Sequence, residues 1–218
     1  MNNQDNYKII KDIDYMRTAL VLRIPFMVSL LRRARIILVD SGEIHAAAAV
    51  DNEYNMYINR EIWQNSSTRD RAFFLLHETL HLALGHTRYT SPGIKHKFMN
   101  WAVDCVVNHL LMEILTPADA SNYIYPSNMS DFVDKYIKSI NGFCSKLDPN
   151  FKPISSPEFP NVDRIKKMSH REIYSILSKI PQPVIKISCG VCIPKGLRES
   201  KFHGDSDIII DGVGYVRI

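Results

Sequence analysis

Residues 77–86 read HETLHLALGH and place three histidines and one glutamate in an otherwise apolar run. Apolar residues also precede the run, which is typical of a helix packed against a core. Ser67 or Thr68 is a suitable N-cap for this helix, and Gly85 is a residue type at which helices commonly stop. We therefore expect a helix over 68–84 that carries the histidines in its C-terminal half.

The first five residues of the run have the pattern His-Glu-x-x-His, formed by His77, Glu78 and His81. Histidines at this spacing lie on one helix face, about 6 Å apart along the axis, and both imidazoles can reach a shared zinc ion at about 2.0–2.1 Å. Glu78 then lies beside the metal, where a carboxylate can take a proton from zinc-bound water and return it to the leaving amine. The pattern predicts a zinc protease, a hydrolase with Glu78 as general base and then acid. The plainer interpretation is an amphipathic helix whose histidines bind no metal.

A zinc site of this kind needs a third ligand, and His86 is the nearest candidate in sequence. On a continuing helix His86 would lie about 140° around the axis from His81 and face away from the metal. Only a sharp break of the helix at Gly85 would bring its side chain back.

The second candidate is Asp104, in a helix that we expect over 97–115. Asn100, Asp104 and Asn108 recur every four residues and form a polar stripe on an otherwise apolar helix. A buried carboxylate needs a partner, and zinc would supply one. We favour Asp104 over His86 as the third ligand, which leaves His86, Asn100 and Asn108 to support the ligands or contact the substrate. The alternative for Asp104 is a hydrogen bond to another helix or to a ligand imidazole.

The rest of the chain predicts helices and short strands. Apolar residues at helical spacing predict N-terminal helices over 5–34, divided at Pro25. The segments that follow are strand-like pieces at 35–40, 44–50 and 55–59, a helix over 131–140, a proline-rich loop over 148–160, a helix opened by a capping box at Ser169 and Glu172, and strands and turns from Val184 onward. Turn residues between the three strand-like pieces favour an antiparallel meander.

The composition is that of an ordinary globular protein, with 45% hydrophobic and 23% charged residues in 218. A chain of this length can bury a core without a metal, so a bound metal ion would indicate a catalytic role rather than a structural one. The net charge of +4 is scattered apart from Arg32, Arg33 and Arg35, which makes nucleic-acid binding a minor prospect. The polar N-terminal residues and the lack of a long apolar run predict a cytoplasmic protein that does not cross a membrane.

Five segments resemble the predicted zinc metallopeptidase domain that commonly precedes a von Willebrand factor A-like domain in bacterial and phage proteins, often encoded near a partner ATPase. They are IPF (24–26), AAVD (48–51), MYIN (56–59), LLHETLHLALGHTR (75–88) and NWAVDCVVN (100–108). A weaker echo is SHREIYSIL at 169–177, so the resemblance covers about residues 18–180.

The resemblance implies a zincin-like fold. Together with the expected elements, it predicts an α+β metallopeptidase domain over 1–180, with the active-site helix on a small, mainly antiparallel sheet. The strands and turns of the tail predict a β-rich extension over 181–218 that packs on the same domain. It implies zinc-dependent proteolysis of a protein or peptide substrate by His77, Glu78 and His81. It also assigns His86, Arg88, Asp104 and Asn108 to the site region. The family suggests an ATPase or a von Willebrand-type protein as partner, although the chain leaves no room for the latter domain.

Several interpretations stay open beside this one. Cys189 and Cys192 form half of a zinc knuckle with His203 further on, but two thiols in a turn are favoured because a closed zinc site needs four ligands. The strand around 46–49, or MYIN, could pair with an extended peptide substrate. The competing function is a zinc-binding interaction or regulatory module without proteolysis. Glu78 favours the enzyme, because a site that only binds zinc needs no carboxylate beside the metal.

Overall fold

The computed structural model describes residues 3–21, 24–41, 43–44, 46–88 and 95–181, followed by four short strands. This part of the chain is α+β. Its α-helices are α1 (Asn3–Val21), α2 (Pro25–Arg33), α3 (Arg60–Asn65), α4 (Thr68–Ala83), α5 (His96–Met112), α6 (Met129–Leu147), α7 (Val162–Ile165) and α8 (His170–Leu177). Its strands are β1 (Arg35–Val39), β2 (Ala48–Val50), β3 (Asn55–Asn59), β4 (Val184–Ile185), β5 (Arg198–Glu199), β6 (Ile208–Ile210) and β7 (Gly214–Arg217). No helix in the described ranges is long and apolar enough to cross a membrane.

The predicted antiparallel meander is wrong, because the first three strands form a mixed sheet in the order β1-β3-β2. β2 and β3 do form an antiparallel pair across the turn at Asp51, but β1 pairs parallel with β3. The turn signal at Ser41 does not close a hairpin. The Ser41 hydroxyl donates to Glu61 Oε2 at 2.6 Å, and Asn59 Nδ2 donates to the carbonyl of Ile44 at 3.0 Å. These bonds join the segment after β1 to the end of β3 and the start of α3, and β3 occupies the central position.

The predicted helices are confirmed, with adjusted ends. α1 and α2 are separated before Pro25, and the capping box of Ser169 and Glu172 is present at α8. The helix predicted over 131–140 extends over Met129–Leu147 because its buried apolar stripe continues to Cys144. The proline-rich segment forms no regular element over 151–161, as predicted for a loop.

The helix α4 matches the prediction closely, since 68–84 was expected and Thr68–Ala83 is found. The Ser67 side chain accepts a hydrogen bond from the backbone N–H of Asp70 at 3.1 Å, which satisfies one of the donors that a helix start leaves unpaired. At the other end, Gly85 has a φ of +69°, a left-handed conformation that glycine adopts without strain. A 3₁₀ turn, His86–Arg88, follows.

Contacts group the chain into two compact units, residues 1–89 with 107–123 and residues 90–106 with 124–218. One of the three points at which the chain passes from one unit to the other falls between Val106 and Val107, inside the continuous helix α5. The expected division at residue 180 is not tested by this grouping and stays a prediction.

Within the first unit, α4 is buried on two sides. Leu75 and Leu82 belong to a core cluster with Met56 and Ile58 of the sheet. On another face, Phe73 and Leu76 cluster with Met27, Val107 and Leu111. The sheet and the second half of α5 therefore hold α4 from different sides, and the histidines of α4 have a fixed backbone.

In the second unit, the first half of α5 packs with α6 and α8 in a separate core cluster, which includes Ala102, Met129, Val133, Ile173 and Leu177. Lys95, directly before α5, donates from Nζ to the carbonyls of Ser178 at 2.9 Å and Ile180 at 2.6 Å. These carbonyls follow the end of α8, where a cation is favoured by the helix dipole.

Candidate metal centre

His77 and His81 of α4 turn their Nε2 atoms toward each other. The Nε2 atoms of His77 and His81 lie 3.0 Å apart, and the ring centroids are separated by 4.6 Å. Two nitrogens bound at about 2.05 Å to a tetrahedral zinc ion are about 3.3 Å apart. The pair is therefore close to the spacing that a shared metal ion requires.

The other nitrogen of His77 is held by α5. His77 Nδ1 lies 2.8 Å from the side-chain Oδ1 of Asn108, a residue only 1% exposed. On the helix face next to this contact, the Phe73 ring lies 5.9 Å from the His77 ring and packs edge-on against Tyr123 at 4.7 Å. The predicted support role of Asn108 therefore has a definite contact, with Nδ1 of His77.

Asp104 lies one helical turn before Asn108 on α5. One nitrogen of His77, one nitrogen of His81 and one carboxylate oxygen of Asp104 lie within 4.8 Å of one another, and this group could hold a metal ion. All three side chains are partly buried. Two imidazoles and one carboxylate fit zinc, which takes such a set in catalytic sites.

His86 comes back toward the site because the helix does break at Gly85. The side chain of His86 is 7% exposed, and its Nδ1 lies 3.3 Å from Nδ1 of His81. This is the opposite edge of the His81 ring from the nitrogen that faces His77. His86 is thus brought to His81, but it does not belong to the group of His77, His81 and Asp104.

The other predicted site residues occupy less defined positions. Glu78 is partly buried beside His77 on α4 and is not a member of the metal group found in the described residues. Arg88 is exposed at the end of the 3₁₀ turn. Asn100 is exposed on α5, one turn before Asp104. Their roles stay predictions.

Two cysteines of the described chain are buried thiols. Burial, followed by the negative charge of Asp104, raises the pKa of Cys105 to about 12. Burial likewise raises the pKa of Cys144 to about 11. Both therefore remain protonated near neutral pH, and neither is suited to act as a nucleophile. Cys189, Cys192 and His203 lie outside the described residues.

The sequence predicted Phe73 as part of the buried flank of the helix, but not its contact with the His77 ring, and it did not indicate Tyr123, which packs against Phe73. The signal for Phe73 was available, since a residue four positions before His77 lies on the same helix face. Tyr123 gave no such signal, because its contact with Phe73 depends on the path of the chain after α5.

A scan against protein-family models, a search of curated proteins and a search of solved structures each found no match to this chain. The resemblance to the metallopeptidase domain and the zincin-like assignment therefore stay predictions.

Proposed function

We propose that this protein is a zinc metallopeptidase. One observation carries the proposal: two imidazole nitrogens of one helix, from His77 and His81, lie 3.0 Å apart in a group that also contains the Asp104 carboxylate. The glutamate of the His-Glu-x-x-His pattern is adjacent to the first of these histidines.

Each residue has a role in this proposal. His77, His81 and Asp104 hold the metal, and Glu78 takes a proton from the attacking water and returns it to the leaving amine. Zinc, when bound, supplies a Lewis acid that activates water and polarises the peptide carbonyl. The apolar residues packed on two faces of α4 hold the helix that carries His77 and His81.

The same set of two histidines and one carboxylate is also used by iron(II) oxygenases. Glu78 favours the hydrolase, because a carboxylate next to the first ligand is the group that removes a proton from water. Metal analysis distinguishes these metals directly.

The sheet offers a place for an extended substrate. β2 is an edge strand, whereas β3 is central and has both edges paired, so β2 rather than MYIN is left as a candidate for backbone pairing with a peptide. Ala48 of β2 lies in the same core cluster as Leu75 and Leu82 of α4. A peptide added along β2 would run beside the helix that carries the histidines.

The test is a comparison of wild type with Glu78→Gln on a broad peptide library, read by mass spectrometry. Glu78→Gln should keep its zinc and its fold while cleavage falls by about 10²–10⁴-fold, the usual contribution of a general base. Glu113→Gln, an exposed glutamate just after α5, is the matched control and should cleave like wild type. A library left uncut by zinc-loaded wild type, or cut equally by Glu78→Gln, would contradict the proposal; zinc bound without any cleavage would instead support the interaction module.

A further inference from the structure

The four ring nitrogens of His77 and His81 on α4 form two pairs: an inner pair, the Nε2 atoms, and an outer pair, the Nδ1 atoms. Both Nε2 atoms face each other at 3.0 Å. Both Nδ1 atoms face away, toward Asn108 for His77 and toward His86 for His81. A neutral imidazole carries its proton on one nitrogen only, so what the outer nitrogens contact decides whether the inner nitrogens offer a lone pair.

Asn108 determines which ring nitrogen of His77 carries the proton. A carbonyl oxygen can only accept a hydrogen bond, so Nδ1 of His77 must carry the proton and donate it to Oδ1 of Asn108 at 2.8 Å. The Nε2 atom of His77 is then the acceptor nitrogen: without a metal its lone pair accepts the hydrogen bond from Nε2 of His81 at 3.0 Å, and a metal ion would take the place of that proton. Asn108 is 1% exposed, and its neighbours Val107 and Leu111 on α5 are buried against Phe73 and Leu76 of α4, so the amide has a firm support.

His86 can accept the Nδ1 proton of His81, as Asn108 accepts that of His77. The contact between Nδ1 of His81 and Nδ1 of His86, at 3.3 Å, needs one proton between the two nitrogens. When His81 offers its Nε2 lone pair, its own proton lies at Nδ1 and is donated to His86. The side chain of His86 is 7% exposed, and it reaches this place because Gly85, with its φ of +69°, ends α4.

We infer that Asn108 and His86 are positioning residues, which accept the Nδ1 protons of His77 and His81 and so present both Nε2 atoms to one metal ion. The inference rests on the proposed metal site and assigns to His86 a role other than third ligand. Partners of this kind commonly change metal affinity by about 10–100-fold when they are removed.

The experiment pairs, at each position, a variant that cannot accept a hydrogen bond with one that can. Asn108→Leu and His86→Phe remove the acceptor, whereas Asn108→Asp and His86→Gln keep one. Zinc affinity, measured by competition with a chelating dye, should weaken by about 10–100-fold in the first two variants and recover largely in the second two.

A second measurement separates positioning from a general effect on the fold. The ring ¹⁵N chemical shifts of metal-free wild type should show His77 protonated at Nδ1. This state should persist in Asn108→Asp and be lost in Asn108→Leu. Because the wild-type spectrum needs no substitution, it decides the question even where Asn108→Leu fails to fold.

Two results would overturn the inference: His77 protonated at Nε2 in the metal-free wild type, or zinc affinity unchanged in both Asn108→Leu and His86→Phe. Failure of the proposed function is a different result, namely zinc-loaded wild type without peptide cleavage. A third result, wild type that binds no zinc, would overturn the inference together with the proposed function, because there would be no metal ion to which the Nε2 atoms are presented.

Discussion

The Nδ1 atoms of His81 and His86 lie 3.3 Å apart, on the edge of the His81 ring opposite to the nitrogen that faces His77. The imidazole of His86 therefore lies against the outer nitrogen of His81, and not next to the two Nε2 atoms that face each other. If the Nε2 atoms of His77 and His81 hold a metal ion, His86 contacts His81 at its other ring nitrogen and not at the metal. Asp104 instead belongs to the group that could hold the ion.

The order of metal loss in single variants tests this arrangement. Wild type should bind about one zinc per chain, and His77→Ala should lose it, because a catalytic zinc site has only three protein ligands. Asp104→Ala should weaken zinc binding more than His86→Ala does, since the first removes a ligand and the second only its support. Zinc content after dialysis against a chelator, measured by plasma mass spectrometry, gives the order.

Asp134→Ala is the control for that series, because Asp134 is an exposed carboxylate on α6 and should leave the zinc content unchanged. Full zinc in Asp104→Ala together with loss in His86→Ala would reverse the assignment and make His86 the third ligand.

Gly85 should be costly to replace, for reasons of backbone conformation alone. Its φ is +69°, and a Cβ atom built there meets nothing within 4 Å. Gly85→Ala should therefore lower the free energy of unfolding by about 1–2 kcal/mol, the cost of a left-handed residue with a side chain. The measurement is urea unfolding at constant m-value.

Gly142 supplies the matched comparison. It lies within α6, and a Cβ atom there also meets nothing within 4 Å. Gly142→Ala should raise the free energy of unfolding by about 0.5–1 kcal/mol, because alanine loses less conformational freedom in a helix. Equal effects of the two substitutions would show that the bend at Gly85 is not required in solution.

Asp51 should contribute to stability in a pH-dependent way. Burial acts to raise the pKa of Asp51, but hydrogen bonds from the Asn55 side chain and backbone, from Tyr57 and from the backbone of Glu53 outweigh it and hold the pKa below 3.8. A lowered folded-state pKa means that the stabilisation is complete above the unfolded value and is lost as pH falls through the folded value.

Wild type should consequently be more stable than Asp51→Asn at pH 6, and the difference should shrink as the pH is lowered below 3.8. Urea unfolding of both proteins across this range measures it. A difference that stays constant with pH would mean that the carboxylate charge has no part in holding the turn between β2 and β3.

The thiols of Cys105 and Cys144 should be inert in the folded protein. Their pKa values are raised to about 12 and about 11 by burial, and the reactive species is the thiolate. Iodoacetamide at pH 8 should leave both unmodified until denaturant is added, as read by peptide mass mapping. Modification of Cys105 in the folded protein at the rate of the denatured protein would contradict its burial beside Asp104.

Structural features that depend only on residues close together in the sequence could be predicted from it. The start of α4 at Ser67, the stop near Gly85, the break before Pro25 and the capping box at α8 each follow from the hydrogen bonds or dihedral angles of a few consecutive residues. The spacing of His77 and His81 is of the same kind, because one helical turn places them together wherever the helix lies.

The sheet shows where such reasoning stops. Turn residues near Ser41 suggested a hairpin, yet β1 pairs parallel with β3, and Ser41 and Asn59 form hydrogen bonds with residues distant in sequence. Local propensity contains no information on which strand occupies the centre of a sheet. The same holds for Tyr123, whose contact with Phe73 depends on the path of the chain after α5.

The sequence by itself determined the helix that carries His77, Glu78 and His81, and the two candidates for a third ligand. Only the tertiary structure decided which atoms the candidate side chains contact, because the direction of a ring nitrogen depends on its neighbours in space. Asn108 on α5 contacts Nδ1 of His77, and the bend at Gly85 takes His86 to the outer edge of His81.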